Sequence, residues 1–230
     1  MLVSHRYKFI LLRTEKTAST SLVSVLRDVV CEQDKLYPAD WTVKRRLLRE
    51  FGNLKGHSFL GGGGFIPRRM GAWKGIHRHG RAADVKRFLG EEIFADYAVI
   101  TSERNPWERQ VSLFTHRRTK HPSRGIRDFK ASMRSGSYNI LHHNRLKNWE
   151  IYSIDDVPVA DHVIRFETLA QDYERVLTQL NIDPERWPLP HRRENAKFEG
   201  PDYRDYYDDE SRALVGRWYA KEIAHFGYEF

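Results

Sequence analysis

Residues 13–21 read RTEKTASTS, with Lys16 followed by the hydroxyl residues Thr17, Ser19, Thr20 and Ser21, directly after the apolar run YKFILL. Where a strand gives way to a helix, such a stretch can hold an anion. The helix N-terminus presents unpaired N–H groups and a partial positive charge. The four hydroxyls add donors and Lys16 adds a full charge. An ordinary strand-to-helix turn, capped by Ser19, Thr20 or Ser21, would use the same residue types.

A second stretch, SERNPWERQVS (102–112), sets Arg104 at the end of an apolar run, turns the chain at Asn105-Pro106 and reaches Ser112 about two helical turns later. An arginine so placed can grip a phosphate or carboxylate with two parallel hydrogen bonds. It can equally pair with Glu103 or Glu108 at the surface. GIHRHG (75–80) offers His77 and His79 as groups able to take a proton near neutral pH. Their H-x-H spacing also suits a metal on a strand, but no cysteine or acidic cluster accompanies it, so no metal is expected. His142-His143 reads as a pair of exposed loop histidines. Glu167 ends an apolar run, where it could orient the base or a basic loop residue, or complement a helix dipole; Arg193 and Lys197 are basic residues ahead of the last helix.

The elements that must position these groups follow from periodicity. YKFILLR (7–13), YAVITSE (97–103) and DHVIRFE (161–167) are short apolar runs bounded by polar residues and predict strands. Leu22, Val25, Leu26 and Val29 form the apolar stripe of a helix after the first loop. RAADVKRFLGEEIF is helical in pattern and breaks near Gly90. Pro106 suits the first turn of a helix whose buried side carries Trp107, Val111 and Phe114. Leu169, Tyr173, Val176, Leu177 and Leu180 line another helix face, and DDESRALVGRWYAKEIAHFGYEF reads as one closing amphipathic helix. TVKRRLLREF suggests a basic helix, GGGGF a surface loop, TKHPSRG (119–125) a loop, and IDPERWPLP a break with three prolines. Strands alternating with helices imply an α/β domain with a mainly parallel central sheet flanked by helices, spanning 1–230 as one unit. In such sheets ligands sit beyond the C-terminal strand ends, where both polar motifs fall.

Composition narrows the partner. Lys+Arg 39 against Asp+Glu 31 gives a net charge of +8, which favours an anionic ligand. Basic residues are spread along the chain with no long block, so a specific nucleic-acid tail is not expected. The single cysteine, Cys31, excludes an intrachain disulfide. MLVSHRYKFILLR lacks the apolar core of a signal peptide, and no run approaches a membrane span, so a soluble cytoplasmic protein is expected. Oligomeric state is not legible.

The first loop is not a Walker A loop, since the glycines of G-x-x-x-x-G-K-[ST] are absent, and no acidic strand end marks a Walker B magnesium ligand. Taken together and in this order, EKTASTS and ERNPWERQVS resemble the cofactor signature of the sulfotransferases that use 3′-phosphoadenosine 5′-phosphosulfate (PAPS). In that superfamily a PKTAGTS loop holds the 5′-phosphosulfate and an RNPxxRxxS segment holds the 3′-phosphate, matched here at Arg104, Asn105, Pro106, Arg109 and Ser112. HGRAADVKRFLGEE, VIRFETLAQDYERVLTQLNI and the segment from Tyr203 to Phe230 are similar to parts of the carbohydrate-type (family 2-like) branch. Residues 32–73 and 119–150 match poorly. Glu15 stands where that pattern has proline, and Ser19 where it has glycine.

The resemblance implies a P-loop-like strand–loop–helix at the N-terminus and in-line sulfuryl transfer from PAPS to a hydroxyl acceptor of a carbohydrate, with no metal. Lys16, Thr17, Ala18, Ser19, Thr20 and Ser21 would hold the 5′-phosphosulfate, with Lys16 also neutralising the leaving group. Arg104 and Ser112 would bind the 3′-phosphate. His79 would be the general base, with His77 the alternative. A P-loop-like nucleotide kinase and a non-catalytic basic module for polyanions are the competing readings.

Overall fold

The computed structural model describes residues 1–30, 79–120, 128–134, 145–189 and 202–230. The expectations for TVKRRLLREF, the glycine run, Cys31, His77, His142-His143, Arg193 and Lys197 lie outside these residues, as does most of the 119–125 loop.

Apolar alternation builds the sheet. Phe9–Leu11 forms β2, and it pairs antiparallel with β1 (Leu2–Ser4), which the sequence reading did not anticipate. β3 (Ala98–Glu103) lies parallel to β2, and β6 (His162–Arg165) lies parallel to β3. The sheet order is β1-β2-β3-β6, mixed but mostly parallel. A short hairpin, β4 (Ser153–Ile154) and β5 (Val157–Pro158), stands apart. Its turn uses Asp155 and Asp156 at positive φ, the conformation a two-residue hairpin loop demands.

Successive residues of a strand point to opposite faces, so β2 supplies two cores at once. Phe9 and Leu11 pack with Ile100 and Ile164 against α1 (Ser19–Val29) and α7 (Leu169–Gln179), meeting Leu22, Leu26, Tyr173 and Val176. Ile10, Leu12 and Val99 pack the other way, against α2 (Ala82–Leu89), α4 (Pro106–Lys120), α8 (Asp209–Trp218) and α9 (Ala220–Phe226). The anticipated stripes are the buried ones: Leu22, Val25, Leu26 and Val29 in α1, and Trp107, Val111 and Phe114 in α4. Each fully buried leucine contributes about 1.5–3 kcal/mol, so the two helices that follow the polar motifs are held firmly.

Two boundaries differ from expectation. Gly90, at φ 92°, ends α2 and begins a separate helix α3 (Glu91–Asp96), a conformation that residues with a Cβ avoid. The closing helix is two helices, α8 and α9, broken at Tyr219. Tyr219 is fully buried, donates its hydroxyl proton to Gln110 Oε1 at 3.0 Å and accepts from Leu146 N–H at 2.8 Å, so tertiary bonds fix the break. Two short helices, α5 (Phe129–Arg134) and α6 (Asn148–Tyr152), and a 3₁₀ turn at Tyr203–Tyr206 complete the described elements. No helix among the described residues is long and apolar enough to cross a membrane.

Candidate functional site

β2 and β3 are adjacent and parallel, so the loops that leave their C-terminal ends emerge side by side. Leu12 N–H donates to Ile100 O at 2.8 Å and extends the pairing towards the two loops. Beyond it, three fully buried hydroxyls join them: Thr14 and Thr17 of the first loop and Ser102 of β3. Thr14 Oγ1 donates to Ser102 O at 2.5 Å, and the contacts Thr14–Thr17, Thr17–Ser102 and Thr14–Ser102 measure 2.7, 2.8 and 3.1 Å. Each hydroxyl owns one proton. With Thr14's proton on the Ser102 carbonyl, the two remaining protons serve two of the three contacts, Ser102 donating to Thr17 and Thr17 to Thr14, and Thr17 then has no proton left for an external ligand.

The remaining hydroxyls of the loop divide in the same way. Ser19 Oγ, buried, donates to Thr14 O at 2.5 Å, and exposed Thr20 Oγ1 accepts from Arg13 Nη2 at 2.8 Å. The expectation that Thr17 and Ser19 donate to an anion through their side chains is therefore replaced: these hydroxyls shape the loop. Nor does a serine or threonine cap α1. Ala18 occupies the cap in the left-handed region (φ 62°, ψ 8°), with no side-chain bond, and Ser19 is already helical.

Lys16 is left-handed too, at φ 64°. Positive φ at a residue with a Cβ costs about 1–2 kcal/mol, and the loop holds two such residues on either side of Thr17. Alternating the sign of φ turns successive N–H groups to one side, the geometry of a main-chain anion nest. The first bond of α1 runs from Ser21 N–H to Ala18 O at 2.8 Å, so the N–H groups of Ser19 and Thr20 precede it and face the loop. Asn148 of α6, fully buried, clasps the loop from outside. Its Oδ1 accepts from Glu15 N–H at 2.9 Å and its Nδ2 donates to Glu15 O at 3.0 Å. Glu15 thus enters the loop through its main chain, in place of the proline of the pattern it resembles.

His79 sits at the same strand end. Its Nδ1 lies 2.7 Å from Arg13 O. A carbonyl only accepts, so Nδ1 carries the proton of the neutral ring and Nε2 carries the lone pair. Of the two candidate histidines, His79 is the one the structure describes, anchored one residue before the loop.

The second motif is built around Glu103, the fully buried last residue of β3. Its carboxylate accepts from Arg104 N–H at 2.9 Å, from Tyr152 Oη at 2.9 Å and from Arg109 Nη1. Arg109 is fully buried, lies 3.5 Å from Glu222 and has its guanidinium 4.5 Å from the Tyr219 ring centre. Burial alone would lower its pKa, but Glu103, Tyr219 and Glu222 outweigh that and raise it. Burial also lifts the Glu222 carboxyl, with Arg109 opposing. Arg109 therefore pins α4 to β3 and α9, a role no sequence pattern announced.

Arg104 itself is buried, with its guanidinium 3.7 Å from the Phe166 ring centre and Nη2 donating to Glu108 Oε1 at 2.7 Å. The pairing with Glu108 weighed from sequence is thus present, though part-buried rather than superficial. Glu108 and Ser112 follow at four-residue steps along α4, so Ser112, half-buried, shares that face. Asn105 caps α4 through Oδ1 to Trp107 N–H at 3.0 Å, donates from Nδ2 to Glu229 O at 2.7 Å and gives its own N–H to Glu167 Oε1 at 2.6 Å. Glu167 therefore orients the turn rather than the base. Although the residue as a whole is exposed, burial of its carboxyl raises its pKa, against the Asn105 bond. Tyr203, Tyr206 and Tyr207 pack edge-to-face on Phe114, Phe129 and Phe230, as core rather than as a platform.

Comparison of the chain with protein-family models, with curated proteins and with solved structures returned no match.

Proposed function

We propose that the protein is a PAPS-dependent sulfotransferase acting on a hydroxyl, of a carbohydrate by the resemblance, with a P-loop-like first loop. The observation that carries this reading is the junction of the two motifs: Thr14, Thr17 and Ser102 bond the loop at 14–20 directly to the strand that delivers Arg104. A nucleotide bearing two separate phosphates needs two anion sites held at a constant separation, and such a junction supplies that rigidity.

The residues present fit the donor. Lys16 and the main-chain N–H groups of 16–20 suit a 5′-phosphosulfate, with Thr20 and Ser21 the hydroxyls best able to add a bond. Arg104, whose buried Nε has no hydrogen-bond partner among the described residues, and Ser112 suit a 3′-phosphate. When bound, the donor supplies an activated sulfuryl group on a phosphate leaving group. Lys16 neutralises negative charge at that end of the loop. His79 accepts the acceptor hydroxyl's proton at Nε2 while Nδ1–H stays on Arg13 O.

Thermal shift tests the reading. Adenosine 3′,5′-bisphosphate should stabilise the protein without Mg²⁺, and labelled donor should transfer to a sugar hydroxyl. Preference for Mg·ATP would favour a nucleotide kinase instead. Salt-steep binding of any polyanion with no nucleotide effect would favour a binding module.

A further inference from the structure

We infer that the Glu108 carboxylate is the resident anion of the second motif, and that a phosphate reaches Arg104 by exchanging with it. The inference rests on the assignment of Arg104 to a 3′-phosphate and adds how that site is regulated.

Three features of the site point this way. Arg104 is 6% exposed and stacked on Phe166, so its guanidinium has a single approach and little freedom to turn. On that approach Glu108 Oε1 already accepts from Nη2, while the buried Nε has no hydrogen-bond partner among the described residues. The cation is thus only partly satisfied by its internal partner, and a phosphate, with three acceptor oxygens, can satisfy it further. Glu103, on the Arg104 N–H, is paired with buried Arg109, and two further carboxylates flank the Arg104 cation: Glu108 across the ion pair and Glu167 on the neighbouring Asn105 N–H. A third anion cannot join them at low cost, so one carboxylate must leave.

Mobility decides which. Glu167 is held at 2.6 Å by a main-chain N–H and its retreat would undo the turn that presents Arg104. Glu108 is bound only through its side chain, which is 24% exposed against 8% for Arg104, and it can rotate to solvent from the first turn of α4 without moving the backbone. Glu108 therefore acts as an intramolecular competitor. It neutralises Arg104 when the site is empty and holds down the affinity for any nucleotide that carries a 3′-phosphate. A nucleotide with a 3′-hydroxyl does not engage Arg104 and escapes this competition.

The test is Glu108→Gln, which keeps an oxygen acceptor for Nη2 and removes the charge. Binding of adenosine 3′,5′-bisphosphate, adenosine 5′-monophosphate and inorganic phosphate is measured by calorimetry on the full chain. Bisphosphate and inorganic phosphate should tighten by about tenfold, the size of one charge-assisted bond. The monophosphate should not change, and Arg104→Ala added to Glu108→Gln should erase the gain. Unchanged or weaker bisphosphate binding in folded Glu108→Gln would overturn the exchange while leaving the cofactor assignment standing. Tighter inorganic phosphate through Arg104, with neither protein binding the nucleotide, would support the exchange and remove the cofactor assignment. Absence of all three interactions in both proteins would overturn both.

Discussion

Thr17→Val separates a hydroxyl that builds the loop from one that binds the ligand. Valine matches threonine in shape, and the site is fully buried, so the change is close to a pure deletion of one O–H. Thr17 loses contacts of 2.7 Å to Thr14 and 2.8 Å to Ser102. Thr14 keeps its donation to Ser102 O, and the Ser102 proton can turn to Thr14, 3.1 Å away, so no buried donor is stranded. Two bonds are lost and one is regained, so the net loss is one hydrogen bond, about 0.5–1.5 kcal/mol. For a chain of this size that lowers Tm by about 1–6 °C. Scanning calorimetry measures the shift, and titration of adenosine 3′,5′-bisphosphate well below Tm measures binding by the folded fraction. Affinity should stay within about threefold of wild type, because the Thr17 proton never reaches the ligand. An unchanged Tm with affinity lost by more than about tenfold would refute this, since it is the signature of a hydroxyl aimed at the phosphate. Thr17→Ser, which keeps the hydroxyl, should recover most of the stability.

Asn148→Ala removes both bonds to the Glu15 main chain and should cost about 2–4 kcal/mol, with faster amide exchange across 14–20; exchange at the wild-type rate would deny the clasp its role. Burial raises the Glu222 carboxyl above its ordinary 4.5, so between that value and the raised one the folded chain keeps a proton that the unfolded chain has lost, and stability falls as pH rises through the window. Glu222→Gln should flatten that decline in urea unfolding followed across pH, and an unaltered slope would contradict it. His79→Asn keeps a donor for Arg13 O but lacks a basic nitrogen, so turnover should drop by about 10²–10⁴ with bisphosphate affinity intact; full activity would remove His79 as the base.

The strands at 9–11, 98–103 and 162–165 were legible because each is an apolar run whose flanks are polar, and Pro106 marked its helix start for the reason proline usually does. β1 was not, since its two apolar residues, Leu2 and Val3, lie in no longer apolar run of the kind that surrounds Phe9–Leu11. The break at Tyr219 was hidden because its cause is tertiary: a phenol bonded to Leu146 and Gln110. In the site, the loops and their order could be read, and so could Arg104 with its alternative partner Glu108. Thr14, Ser102 and Asn148 could not. Their bonds join residues 85 to 133 positions apart, and buried hydroxyls at strand ends look in sequence like any polar boundary. A serine and a threonine at the ends of two predicted strands is the faint signal that was there. The left-handed Lys16 and Ala18 carry no such signal, because neither residue type favours that region.

The most direct measurement is a crystal structure with adenosine 3′,5′-bisphosphate and no added metal. The 5′-phosphate should lie on the N–H groups of 16–20 beside Lys16. The 3′-phosphate should lie within hydrogen-bonding distance of Arg104, with Glu108 turned away. A nucleotide bound elsewhere, or one touching a single loop while Arg104 stays on Glu108, would contradict the two-loop site.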